Sequence, residues 1–168
     1  MSPASRGHAG HPPEQTSGLI VIGYDGSDEA RHAIDAAAAF LRATDAVVAN
    51  IWRPAVVPAT SLPLAAPATP PPSDEQDQAL ESAARQVAEE GVRRASGAGL
   101  RARPELRCGA SADVGRLLGA LADEYEADLI VVGRRGVSRV EAVVLGSVSN
   151  DTVREARRPV LVVPPANG

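Results

Sequence analysis

Residues 128–133 read Asp128-Leu129-Ile130-Val131-Val132-Gly133; Arg134-Arg135-Gly136 follow and, after nine further residues, Gly146-Ser147-Val148-Ser149. The apolar run is apolar on both of its faces, which predicts a strand at the centre of a parallel sheet. Gly133 and Gly136 let the backbone turn sharply with no Cβ in the way. Gly146-Ser147 reads as the opening of a helix that runs to about Ala156 and is stopped before Pro159. A strand, a glycine loop of spacing G-x2-G-x9-G-S and a helix make up the unit from which α/β proteins are assembled.

The rest of the chain repeats that alternation. Leu19-Ile20-Val21-Ile22-Gly23-Tyr24 predicts a first strand, and Asp25-Gly26-Ser27 a turn with Ser27 as helix N-cap. Asp28 and Glu29 suit the positive end of the helix dipole, and Ala30, Ala33, Ile34, Ala37, Phe40 and Leu41 recur at helical spacing on a buried stripe. Ala46 to Trp52 predicts the second strand. Residues 54–73 carry seven prolines and read as an irregular or polyproline-like insertion: a tolerated insertion, a lid or a partner-docking strap. Ser73 and Gln76 form a capping-box pattern opening a helix to about Ala95, with Glu81/Arg85, Glu89/Arg93 and Glu90/Arg94 spaced as ion pairs on a solvated face.

Arg101 to Cys108 predicts a third strand, placed at a sheet edge by Pro104. A third helix is expected from Ser111 to about Glu126, burying Val114, Leu117, Leu118, Leu121 and Tyr125. Val160-Leu161-Val162-Val163 predicts the last strand. The reading is therefore a disordered tail over residues 1–17, one domain over 18–165 and a short tail over 166–168. The fold class is α/β: an open five-stranded parallel sheet with helices on both faces. In such sheets ligands sit beyond the carboxyl ends of the strands, where strand order reverses, so Asp25 and Gly133 are expected to face one crevice.

Composition narrows the chemistry. All 17 basic residues among the 168 are arginine, so no P-loop lysine and no Schiff-base lysine is available. Cys108 is the only cysteine, which excludes disulfide frameworks, CxxC motifs and cysteine-rich zinc sites. His8 and His11 lie in the tail and leave His32 for any histidine chemistry. A net charge of −4 argues against general binding to nucleic acid or anionic membranes. No run approaches the roughly 20 apolar residues of a membrane span, and no apolar signal core opens the chain, so a soluble cytoplasmic protein is expected. The 31 alanines beside arginine as the sole basic residue suggest a GC-rich bacterial source.

The glycine loop points to phosphate. The N-terminus of the helix from Gly146 presents unpaired N–H groups and a favourable dipole, Ser147 and Ser149 add hydroxyls, and Arg134, Arg135 and Arg139 supply positive charge. A glycine after a strand is often only a turn, and Gly-Ser at a helix start often only a cap. The whole spacing, after a central strand and before a helix, is far more specific than G-x-x-G alone. Gly97-Ala98-Gly99-Leu100-Arg101-Ala102 also fits G-x-G-x-x-A, but it follows a helix and precedes a strand, the reverse of a dinucleotide site.

These residues, Val21-Ile22-Gly23-Tyr24-Asp25-Gly26-Ser27 and the G-x2-G-x9-G-S segment, resemble the universal stress protein family in its nucleotide-binding branch, over Leu19 to about Pro164. The resemblance implies a strand order of 3-2-1-4-5 and ATP, with Mg as a candidate companion, held by Gly133, Arg135, Gly136, Gly146 and Ser147, with Val148 and Ser149 as helix donors. It implies that Asp25 lies on the adenosine side or by a bound cation, a role set beside that of a simple turn residue. Ile51 would read the adenine edge through its backbone. Asn50 departs from the histidine many relatives carry. Val160 to Val163 read as an apolar edge strand that pairs antiparallel with a second copy, a homodimer that the resemblance also implies, together with a stress-response or signalling role and an unspecified protein partner.

Hydrolysis would need a positioned base and metal ligands. Asp25, Glu141 and Asp151 are the candidates, so binding with slow or no ATP turnover is expected. Two other readings stand beside it: a non-catalytic protein-interaction module whose glycine loop is structural, and a nucleotide-activating enzyme of the adenylate-forming kind.

Overall fold

The computed structural model describes residues 18–41, 45–54, 74–109, 113–134 and 146–166. The expected N-terminal tail, all of the expected C-terminal tail but Ala166, all but the first residue of the proline-rich insertion, Ser111, Arg135, Gly136, Arg139 and Glu141 lie outside them.

Among the described residues nine elements alternate: β1 (Leu19–Gly23), α1 (Asp28–Phe40), β2 (Asp45–Trp52), α2 (Asp74–Gly97), β3 (Arg101–Cys108), α3 (Val114–Glu124), β4 (Leu129–Gly133), α4 (Ser147–Glu155) and β5 (Val160–Val163). The strands form one parallel sheet of order β3-β2-β1-β4-β5. Its register sets Val21 between Val47 and Ile130, and Val132 beside Val162. Two aliphatic layers cover the sheet. Ile20, Ile22, Val48 and Val131 pack with Ile34 of α1 and Ala95 of α2, while Val21, Val47 and Ile130 pack with Leu118 and Leu121 of α3 and Val148 of α4. Period-two alternation on strands that are apolar on both sides builds both layers at once.

The edges differ. β3 carries Pro104 and a chain of charged contacts: Arg103 lies over the Tyr125 ring, the Tyr125 hydroxyl donates to Glu105 at 2.6 Å, and Arg107 pairs with Glu124 at 2.8 Å. β5 has only aliphatic side chains.

Three expectations about the helices change. Phe40 was expected on the buried stripe of α1, but it is 82% exposed, because it ends the helix beyond the layer that α1 covers. Tyr125 lies just past α3 as its C-cap, and Glu126 follows in the left-handed region at φ 52°, which terminates the helix. On α2, Arg85 does pair with Glu81 at 2.9 Å, but Glu90 and Arg94 turn to α1 instead of to each other. Arg94 donates to Asp35 at 2.9 Å, and Glu90 accepts from Arg31 at 3.2 Å. A face that looked solvated is thus an interhelical seam.

Candidate functional site

The carboxyl ends of β1, β2 and β4, with α3 and the first turn of α4, enclose a cleft of about 440 Å³. It lies where the sheet order reverses between β1 and β4, the usual ligand position in open parallel sheets.

Strand alternation decides what enters it. Val21 and Gly23 lead in phase to Asp25, Ala49 and Ile51 lead to Arg53, and Ile130 and Val132 lead to Arg134. All three end on the α3/α4 side and line the cleft, with Val114, Leu118 and Val132 as its apolar floor. The result is a greasy floor beneath a rim of one carboxylate and two guanidiniums among the described residues.

Of the expected site residues, Asp25, Ile51, Gly133, Gly146, Ser147, Val148 and Ser149 line this cleft. Arg135 and Gly136 lie outside the described residues. Gly133 is a glycine for a steric reason: a Cβ there would lie 3.0 Å from the carbonyl carbon and oxygen of Glu29, where α1 begins. Asp25 is a turn residue as well as a rim carboxylate. Its Oδ1 accepts the Ser27 N–H at 3.0 Å, while the Ser27 hydroxyl accepts the Ala30 N–H at 3.1 Å and caps α1. Gly26 between them takes φ 79°, a conformation that side chains oppose.

At α4, the Gly146 N–H donates to the Arg134 carbonyl at 2.8 Å, and the Asn150 N–H closes the first turn on Gly146 at 3.0 Å. The N–H groups of Ser147, Val148 and Ser149 come before that first intrahelical bond, so helix geometry gives them no internal acceptor. The two serines differ. Ser147 is exposed, whereas Ser149 is 1% exposed and its hydroxyl is shared between the carbonyls of Arg134 and Gly146, at 2.9 and 3.0 Å. Of the two hydroxyls expected to face a phosphate, Ser149's is engaged inside the fold.

The β2 backbone contributes as well. The Ala49 carbonyl takes the Tyr24 N–H at 2.8 Å from the β1 side, and the Trp52 carbonyl takes the Gly109 N–H at 2.9 Å from the β3 side. Residues of a parallel strand alternate in this respect, so Ile51 presents its N–H and C=O toward β1, beyond the point where β1 ends. Asn50 secures the break. Its side-chain amide donates to the Tyr24 carbonyl at 2.8 Å, occupying the acceptor that a continuing ladder would offer Ile51. Asn50 is 8% exposed and lines the cleft. Sequence reasoning marked it only as a departure and missed Arg53, Val114 and Leu118. The i,i+2 phase from Ile51 would have found the first, and the i,i+4 spacing on α3 the other two.

Behind the cleft, Tyr24 reaches α2. Its hydroxyl donates to Glu90, and burial first, then that bond, push the phenol above its ordinary range. Burial works against the charged Glu90, but the Tyr24 and Arg31 hydrogen bonds and the Arg31 and Arg94 charges outweigh it and hold the carboxyl below its usual value. Among the described residues, no group of three His, Cys, Asp or Glu side chains is placed to hold a metal ion.

The family model of the universal stress proteins matches residues 18–164. The chain belongs to the universal stress protein family. It is 32% identical over 146 residues to a universal stress protein of Mycobacterium tuberculosis, covering 86% of this chain and 94% of that protein. A universal stress protein family member from Burkholderia pseudomallei superposes with TM-score 0.63 at 27% identity, covering 92% of this chain and 100% of the other. A universal stress protein solved in complex with cAMP superposes with TM-score 0.62 at 26% identity, covering 89% and 98%. The strand order of this universal stress protein is the one its family likeness implied.

Proposed function

We propose that this universal stress protein binds an adenine nucleotide, ATP in particular, in the β1/β4 cleft and acts as a nucleotide-dependent stress-response or signalling module. The observation that carries the reading is the coincidence, at one switch point, of an apolar floor, an outward-facing Ile51 amide and an α4 N-terminus whose first N–H groups are unpaired among the described residues. Each matches one part of the ligand. The base lies on Val114, Leu118 and Val132 with its edge on the Ile51 backbone, and the phosphates meet Ser147 and the N–H groups of α4. Gly133, Arg135, Gly136 and Gly146 complete the phosphate loop. The cAMP complex of a relative supports the ligand class. A Mg ion would enter on the phosphates and find, among the described residues, one rim carboxylate, Asp25, in keeping with the preference of Mg for waters and phosphate oxygens over protein cages.

The same geometry favours binding over turnover. Asp25 is held in the α1 turn, Asp151 packs against Gly115 of α3, and His32 is not among the described residues lining the cleft. The third candidate base, Glu141, lies outside the described residues. Calorimetry with ATP, ADP and AMP on wild type and Gly146→Val tests the reading. Gly146 lines the cleft and has φ −63°, which valine adopts without strain, so the variant should fold while its affinity is expected to collapse. Wild type that binds none of the three nucleotides contradicts the reading. AMP and pyrophosphate as products would favour the adenylate-forming alternative.

A second reading, assembly, rests on the unequal edges. The β3 edge is blocked by Pro104 and charge, whereas β5 is short, aliphatic and half-exposed. We propose that two copies pair through Val160 to Val163 across a two-fold axis. Among the described residues no helix is long and apolar enough to cross a membrane.

A further inference from the structure

Arg134 follows Gly133 directly, and its backbone is fixed on three sides. Its N–H donates to the Val163 carbonyl at 2.8 Å, and its own carbonyl accepts the Gly146 N–H at 2.8 Å and the Ser149 hydroxyl at 2.9 Å. The residue is therefore bolted to the first turn of α4 and phased onto the cleft side of β4. Its Nε is shut away from solvent and, among the described residues, has no hydrogen-bond partner. A guanidinium donor that has lost water without gaining an acceptor is costly, and turning the fork toward an oxyanion in the cleft would relieve that cost.

We propose that Arg134 is the anion-reading side chain of the cleft, gripping the ligand's phosphate beside the α4 N-terminus, and that Ser149 is a positioning residue acting through it. This rests on the nucleotide reading above and deepens it. The division of labour follows from the hydrogen bonds. Ser149 and Gly146 spend their donors on the Arg134 carbonyl, and this fixes the root of the arginine against the turn whose remaining N–H groups face the same phosphate. Arginine suits the place because its planar fork can hold two oxygens at once, and the chain has no lysine to offer a point charge instead. Arg53, on the opposite rim, is the internal comparison: it carries the same charge into the same cleft from an exposed position without that anchorage.

The test is calorimetry of the full chain with adenosine, AMP and ATP at two salt concentrations, for wild type, Arg134→Gln, Arg53→Gln and Ser149→Ala, with circular dichroism melts reporting folding. Arg134→Gln should weaken ATP by about tenfold or more, the size of a charged hydrogen bond, while adenosine stays within about twofold, and it should flatten the salt dependence. Ser149→Ala should show the same selective pattern at smaller amplitude. Arg53→Gln should lose clearly less than Arg134→Gln. Equal losses for adenosine and ATP in Arg134→Gln, or equal losses of ATP in the two arginine variants, would overturn the proposal while leaving nucleotide binding intact. Wild type that binds no adenine compound would sink the nucleotide reading, and this one with it.

Discussion

The Asn50 amide ends the β1–β2 ladder by taking the Tyr24 carbonyl at 2.8 Å, and so leaves the Ile51 amide facing the cleft. Asn50→Leu removes a donor and strands a buried carbonyl, which should cost about 1–3 kcal/mol in chemical denaturation. If Ile51 reads the base edge, the same change should also lower the preference for adenine over guanine nucleotides. A variant as stable as wild type would mean that water reaches that carbonyl. Gly133 is a second sensitive point. Gly133→Ala sets a methyl 3.0 Å from the Glu29 backbone and should destabilise the fold by about 1–3 kcal/mol, since the neighbour is main chain and yields little. At this scale the sequence was informative where a residue type has one use, as with Ser27 as cap or Pro104 as an edge marker. It was silent on Asn50, whose role depends on which carbonyl the tertiary register places beside it.

The helices reach the site through seams that helical periodicity does not encode. α3 and α4 meet at Gly115, where a Cβ would lie 2.4 Å from the Thr152 N atom. Gly115→Ala should therefore push α4 off its seat and weaken nucleotide binding along with stability, a pairing that a ligand-dependent thermal shift would detect. The seam of α1 and α2 is ionic. Glu90 has its folded pKa held below the unfolded value, so its contribution is present above about pH 4.3 and is lost as pH falls through the lower folded value. Tyr24 runs the other way: its raised pKa means a contribution complete below about pH 10 that fades as the solution becomes more alkaline. Wild type should lose stability on acidification faster than Glu90→Gln, and parallel curves for the two would contradict the seam. Local i,i+4 spacing had paired Glu90 with Arg94, a fair rule for an isolated helix. It failed because α1 brings Arg31 and Asp35 within reach, and no local pattern announces a helix 59 residues away across a proline-rich insertion.

For the whole molecule, alternating strands and helices with a double-sided apolar β4 were enough to derive a parallel sheet, its two-faced cover and the crevice at its reversal. The full order β3-β2-β1-β4-β5 came from family likeness, because periodicity says which strands are central but not which neighbours they choose. Assembly belongs to this scale too. The Ile130 N–H bonds the Pro159 carbonyl and the Arg134 N–H bonds the Val163 carbonyl, so the Val160 and Val162 backbone groups face the open edge. Val162→Pro removes an outward donor and leaves the β4–β5 ladder intact. In sedimentation equilibrium the wild type is expected at twice the 17.3 kDa chain mass and the variant at the chain mass, and an unchanged mass would exclude strand β5 as the interface.

The central claim, that an adenine nucleotide occupies the β1/β4 cleft, is tested most directly by following backbone amide resonances of the full chain during an ATP titration. Saturable shifts are expected, largest at Ser147, Val148, Ser149 and Ile51, with Asp25 and Gly133 next, and with little change at the opposite ends of the strands around Asp45 and Arg101. Shifts concentrated away from that cleft, or a spectrum unchanged by excess ATP, would contradict it.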